Sequence, residues 1–317
     1  MAPVALKEAT APNSTEEVHA EKMADLDFGF TLYPVARGAG RDVSTLMDYN
    51  RRCLRVLPPR FTTVWVEDHF QWNDLATLEC LSTLSFLAGE FPSLRFGTLV
   101  LGQSYRNPAL TAKMAANLHY LTGGRFILGI GAGWKEDEYR AYGYPYPPAK
   151  VRVAQMDEAI QIIRALWNDA PATFKGTYYQ IEDAYCSPRP QPPIPLMIGG
   201  SGERLVLRSV ARYADWWNNN FCTAEDYARK LEVLRSHCTA LGRDPSTIKL
   251  TYYGIISLPQ NPAQITQSSL HIIGGTPERA IKELTDFANL GVSHIMLRFS
   301  DIESLERFNN EVLPHLP

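Results

Sequence analysis

Eight short segments rich in β-formers recur along this chain, each followed by a stretch of helical period, and that alternation constrains the fold more than any other feature. The segments begin near Asp27, Thr62, Leu94, Arg125, Pro195, Ala214, Ile248 and Val292. Strands separated by helices pair in parallel, and for a chain of 317 residues the economical closure is an α/β fold, a (β/α)8 TIM barrel. Val151 to Trp167 is the clearest helix. Its residues Met156, Ala159, Ile160, Ile163, Leu166 and Trp167 fall on one stripe at i, i+3, i+4 spacing. Asn107-Pro108 and Thr276-Pro277 each supply a capping side chain followed by proline at the first helical position. Gly123-Gly124 stops the helix that carries Ala112 to Leu121. A doubly wound sheet would place Gly-x-Gly-x-x-Gly after its first strand. Here Phe28 to Tyr33 runs into Pro34-Val35-Ala36-Arg37-Gly38, which lacks that spacing.

Two stretches exceed what a barrel connection needs, so insertions are expected after strands 4 and 7. The first, Ala172 to Pro193, reads as a short β-hairpin around Phe174 to Tyr179 followed by a stiff return through Pro188, Pro190, Pro192 and Pro193. The second spans about Leu258 to Ile273. Excursions of this length inside a compact fold are usually lids or binding loops. One barrel domain is expected over residues 25–317. Residues 1–24 are poor in apolar side chains and read as a disordered or loosely attached extension.

Composition narrows the partners. Apolar residues are 45% and charged residues 21%, enough for a large core under a soluble surface, and a net charge of −3 offers no basic footprint for nucleic acid. No apolar run approaches the roughly 18 residues of a membrane helix. The five cysteines, Cys53, Cys80, Cys186, Cys222 and Cys238, form no Cys-x-x-Cys pair and fit a reducing, cytoplasmic setting. The partner expected is a small-molecule substrate, with a homodimer as the assembly.

In such barrels the chemistry sits at the carboxyl ends of the strands. The second strand runs out into Asp68-His69-Phe70. This pair reads either as an imidazole that transfers protons beside a carboxylate, or as a cap and a surface histidine. The third strand, Leu94 to Gly102, carries Gly97, which marks a bulge or a close backbone approach to a ligand. The fourth ends Gly129-Ile130-Gly131-Ala132-Gly133-Trp134. Its alternating glycines either open one face to a flat ring or relieve crowding within the barrel. After the fifth strand comes Gly199-Gly200-Ser201-Gly202-Glu203-Arg204 ahead of a helix, a ready anion site built from backbone N–H groups. The sixth ends Trp216-Trp217-Asn218-Asn219-Asn220. A metal-hydrolase barrel needs several histidines at strand ends. Of the seven (His19, His69, His119, His237, His271, His294 and His315) only His69 falls there, so no metal site is expected.

Together these segments resemble the bacterial luciferase-like superfamily, in its coenzyme F420-dependent oxidoreductase branch, from about Asp27 to Leu313. The carriers are Trp65 to Phe70, Tyr105-Arg106-Asn107-Pro108-Ala109, Leu121 to Arg125, Gly129 to Trp134, Tyr139 to Gly143, Ile198 to Arg204 and Ala211 to Asp215. The resemblance implies a deazaflavin ring at the barrel mouth against a third-strand bulge, whose non-prolyl cis peptide would fall at Leu99-Val100. It assigns Asp68, Ala132 and Gly133 to the ring and ribityl, Gly199, Gly200, Ser201, Gly202 and Glu203 to the phosphate, and His69 to proton transfer. One departure is plain. Trp134 stands where the sugar-phosphate dehydrogenases of this branch have a catalytic glutamate, so their substrate and acid–base scheme do not carry over. The expected reaction is hydride transfer between F420 and a small organic substrate. The alternatives are a reduced-FMN-dependent monooxygenase and, in another class, a flavin-binding barrel without catalysis.

Overall fold

A computed structural model describes residues 26–33, 43–264 and 268–317. The expected extension over 1–24 lies outside the described residues. Strands β1 (Asp27–Thr31), β2 (Phe61–Val66), β3 (Arg95–Thr98), β5 (Phe126–Gly131), β8 (Leu196–Gly199), β9 (Trp216–Asn220), β10 (Lys249–Ser257) and β12 (His294–Phe299) pair in parallel in that order. Pairing of β12 back onto β1, Asp27 opposite His294, closes the barrel. The remaining strands are β4 (Leu101–Gly102), β6 (Ala172–Lys175), β7 (Gln180–Ala184) and β11 (Ile272–Gly274). All eight barrel strands start within two residues of the positions expected from the alternation.

The helices follow the same logic. Helices α1 (Val43–Arg55), α2 (Cys80–Glu90), α3 (Pro108–Leu121), α6 (Val206–Tyr213), α7 (Ala224–Ala240) and α8 (Pro277–Asn289) connect the strands; α4 (Glu136–Ala141) and α5 (Ala149–Asn168) lie between β5 and β8, and α9 (Ile302–Arg307) follows β12. The apolar stripe of α5 is buried at all six expected positions, and the helix packs on α3. Asn107 and Thr276 cap α3 and α8 by accepting from Ala109 N–H and Arg279 N–H. Gly123 and Gly124 take φ of 65° and 85°, the left-handed geometry that ends α3. After β5 the chain adds α4, α5 and the antiparallel hairpin β6–β7, whose turn is gripped by the Glu158 carboxylate through the N–H groups of Thr177, Tyr178 and Tyr179. The return carries cis peptides at Ser187-Pro188 and Gln191-Pro192. After β10 come a 3-10 turn at Pro262–Gln264 and then β11, which lies parallel on β10.

Two apolar layers result. The larger fills the space between strands and helices. The smaller lies inside the barrel and contains Trp65, Leu99, Ile127, Met197, Trp216, Tyr253 and Met296. Trp65 spans the interior, and this revises one expectation: a Cβ at Gly97 would sit inside the Trp65 indole, so that glycine makes room for a tryptophan and not for a ligand.

Candidate active site

The third barrel strand breaks after Thr98. The peptide Leu99-Val100 is cis, as expected, and the chain resumes as β4 beside β5. Thr98 pins the near side of the break, its Oγ1 donating to Gly129 C=O at 2.7 Å and accepting from Gly129 N–H at 2.9 Å. Asp68 pins the far side. Its carboxylate accepts Gly102 N–H at 2.9 Å and both terminal nitrogens of Arg106 at 2.8 Å. The Asp68 side chain has no exposed surface. Its expected contact with a ring therefore gives way to a different task, holding the bulge from behind through a bidentate, charge-assisted pair. Arg106 was not foreseen in this role.

The glycines of β5 also resolve. Added Cβ atoms at Gly131 and Gly199 would lie 2.7 Å and 2.9 Å from the methyls of Val100, and one at Gly129 would strike the Thr98 carbonyl. The alternation thus relieves crowding by the bulge. Val100 reaches inward over β5 and β8 because those positions lack side chains. Gly133 differs: its φ is 80°, and a side chain there would meet the Tyr139 hydroxyl, so the β5–α4 turn depends on it. Ala132 precedes that turn and is partly buried.

His69 is nearly buried, and its Nδ1 lies 3.0 Å from Glu138 Oε2. Glu138 is fully enclosed on α4. It also accepts from Tyr105 Oη at 2.9 Å, Gln71 N–H at 3.0 Å and Phe70 N–H. Burial alone would raise the Glu138 carboxyl, but the bonds from His69, Phe70 and Gln71 outweigh it and hold the group below the usual carboxylate range. Tyr105, pushed up by burial and by Glu138 itself, stays protonated as a donor. A carboxylate at Nδ1 fixes that nitrogen as the N–H in the neutral ring, which leaves Nε2 as the lone-pair site. Among the described residues Nε2 has no partner. Two indoles flank the imidazole, Trp72 at 5.0 Å and Trp134 at 5.7 Å between centroids.

Sequence reading paired His69 with Asp68, its neighbour in the chain, and missed Glu138. A signal existed in Glu136-Asp137-Glu138, three acids in the first turn of α4. Which of them turns inward depends on how Tyr139 seats the helix, and spacing does not reveal that. A second cluster, joining Glu67 just past β2 to side chains of β10 and β12, was also missed: Glu67 accepts from Tyr253 Oη at 3.0 Å and from Arg298 at 3.3 Å.

At the fifth strand the turn Gly199 to Glu203 precedes α6. Gly200 has φ 127°, but its N–H is taken by Asn218 C=O at 3.0 Å and its carbonyl by Trp217 Nε1 at 2.9 Å. The expected anion donor therefore shifts along the chain. Among the described residues the N–H groups of Ser201, Gly202, Glu203 and Arg204 have no acceptor. The Glu203 carboxylate is engaged with Lys230 at 2.7 Å and with Arg229, so only its main chain serves the turn.

A barrel with a cis-peptide bulge, a histidine at a strand end and an open N–H turn is the architecture of a flavin-type oxidoreductase. The chain belongs to the luciferase-like monooxygenase family, whose profile it matches over residues 60–305. It is similar to an F420-dependent glucose-6-phosphate dehydrogenase of Kineococcus radiotolerans, 33% identical over 65% of this chain and 63% of that protein, less than two thirds of the relative's length. A protein of the same description from Intrasporangium calvum is 28% identical over 81% of this chain and 90% of its own. A solved F420-dependent secondary alcohol dehydrogenase in complex with an F420-acetone adduct superposes on 92% of this chain and 99% of its own, with a TM-score of 0.76. At 19% identity that is a likeness of fold.

Proposed function

We propose that this chain is an oxidoreductase that transfers a hydride between coenzyme F420 and a small organic substrate at the barrel mouth, with His69 exchanging the substrate proton. The observation that carries the reading is the imidazole itself. Nδ1 is bound to a buried carboxylate and Nε2 has no partner among the described residues, at the carboxyl end of a barrel strand. The F420 dependence of the two dehydrogenase relatives supports the choice of coenzyme.

The residues present fit such a group. Leu99 and Val100 offer an apolar wall, the Ala132-Gly133 turn an open edge, and the N–H groups of Ser201 to Arg204 suit a phosphate. When bound, the coenzyme supplies the carbon that accepts or gives two electrons as hydride. The protein supplies the proton path. For alcohol oxidation, neutral His69 accepts the hydroxyl proton at Nε2 while Nδ1–H stays bonded to Glu138, and the buried carboxylate stabilises the imidazolium that forms. For carbonyl reduction the same proton returns. Tyr105 and the N–H groups of Phe70 and Gln71 hold Glu138 ionised and in place.

The test is optical. Protein loaded with F420 and given substrate should interconvert the oxidised and reduced coenzyme spectra without consuming oxygen. Oxygen uptake with reduced FMN would overturn the reading in favour of a monooxygenase. The described residues include no helix long and apolar enough to cross a membrane. A cytoplasmic setting is supported by five unpaired cysteines, and a homodimer by the exposed Phe86, Leu110, Tyr120 and Leu121 on α2 and α3. Sedimentation tests the latter.

A further inference from the structure

We infer that the substrate is an uncharged ketone or secondary alcohol with a flat aromatic group on the reacting carbon, seated on Trp134. This rests on the hydride-transfer reading above and narrows its substrate class. Trp134 is 65% exposed, an unusual state for the largest apolar side chain when it stands beside a buried histidine. Its ring meets His69 edge-on at 82° and lies 6.4 Å from Trp72. The imidazole and the two indoles form one cluster, in which Trp134 keeps most of its surface exposed.

The backbone beneath that surface is anchored: the Trp134 carbonyl accepts from Tyr146 Oη at 3.0 Å, and the residue follows the Gly133 turn that packs on Tyr139. An exposed aromatic face on an anchored backbone, beside the proton-exchanging imidazole, offers a flat group a stacking surface.

The polar groups described around it argue against an anionic substrate. Lys135 lies over Trp72, 5.0 Å from the ring centroid, with its ammonium paired to Asp137. Arg106 is consumed by Asp68 and Glu79, and Arg298 is paired with Glu67. A phosphate that recruited Lys135, Arg106 or Arg298 would break one of these pairs and leave a carboxylate unpaired. An aryl ring there buries apolar surface without that cost. The chemistry balances: the carbinol carbon gives its hydrogen and two electrons to the bound coenzyme as hydride, the hydroxyl proton goes to His69 Nε2, and the carbonyl forms. Reduction runs the same transfers in reverse.

Calorimetric titration of the F420-loaded protein with acetophenone, acetone and glucose 6-phosphate separates this inference from the reading beneath it. Acetophenone should bind at least tenfold more tightly than acetone or glucose 6-phosphate. Trp134→Ala should remove about tenfold or more of that preference, Trp134→Phe should retain most of it, and Tyr185→Ala, at another exposed aromatic, should leave it unchanged. Because Trp134 is exposed, the variants should fold, which circular dichroism checks. An acetophenone preference that survives Trp134→Ala, or tighter binding of glucose 6-phosphate, overturns the proposal. Acetophenone that binds through Trp134 but exchanges no hydride leaves the seat standing and overturns the hydride-transfer reading.

Discussion

The barrel holds a histidine–carboxylate pair at each end, and the two are built in opposite senses. At the mouth the carboxylate of Glu138 is the enclosed partner and His69 the one with surface, 10% of its side chain. At the base the histidine is enclosed: His294 on β12 has no exposed surface, while its partner Asp27 on β1 is 36% exposed. The second ring nitrogen marks the difference. His294 Nε2 receives Trp65 Nε1–H at 3.2 Å and lies 3.0 Å from Thr63 Oγ1, so its lone pair is spent inside the barrel. Burial pushes the His294 imidazole below its ordinary range despite Asp27. One pair has every polar atom satisfied and closes the β1–β12 seam. The other leaves one nitrogen open among the described residues, and an open nitrogen is what proton transfer needs.

Removing the mouth histidine should give the largest effect. His69→Ala should lower hydride transfer by about 10²–10⁴-fold, the usual worth of a positioned acid or base, with F420 affinity nearly unchanged. Single-turnover mixing on the loaded variant measures this, and a parent-like rate would make His69 a packing residue. Glu138→Gln tests orientation with the imidazole still present. Turnover should fall at least tenfold but by less than in His69→Ala, while coenzyme affinity in fluorescence titration holds.

The same surgery at the base should leave chemistry alone. His294→Gln should cost about 1–3 kcal/mol, because Asp27 loses its imidazole partner and the Trp65 indole N–H keeps only Thr63 Oγ1. In denaturant titration this appears as a lower midpoint, with turnover per folded molecule within about twofold of the parent. A turnover loss as deep as that of Glu138→Gln would collapse the distinction between the two ends.

Acid should separate the pairs more gently. A histidine whose folded pKa is lowered binds fewer protons folded than unfolded, so stability falls as pH drops below its unfolded value of about 6.5. The Glu138 carboxyl is lowered, so its contribution is full above its unfolded value of about 4.5 and is lost only as pH falls through the folded one. Between pH 7 and 5.5 the parent should therefore lose stability through His294, and His294→Gln should lose less. Equal slopes would mean that His294 does not titrate in that window.

By itself the sequence determined the barrel. Alternation, the α5 stripe and the Asn107 and Thr276 caps are local or periodic signals, set by backbone hydrogen bonding and by which face is apolar, and the described strands begin where those signals begin. The cis bond at Leu99-Val100 was also legible, through the resemblance. Tertiary structure decided what each site residue touches. Asp68 and His69 are adjacent in sequence, yet one grips Arg106 and Gly102 while the other grips Glu138, because successive side chains leaving a strand diverge. Gly97, Gly129 and Gly131 looked like room for a ligand, and the room belongs to Trp65, Thr98 and Val100. Long-range partners 30 to 70 positions apart carry no local signature, and only closure of the barrel brings them within hydrogen-bond reach.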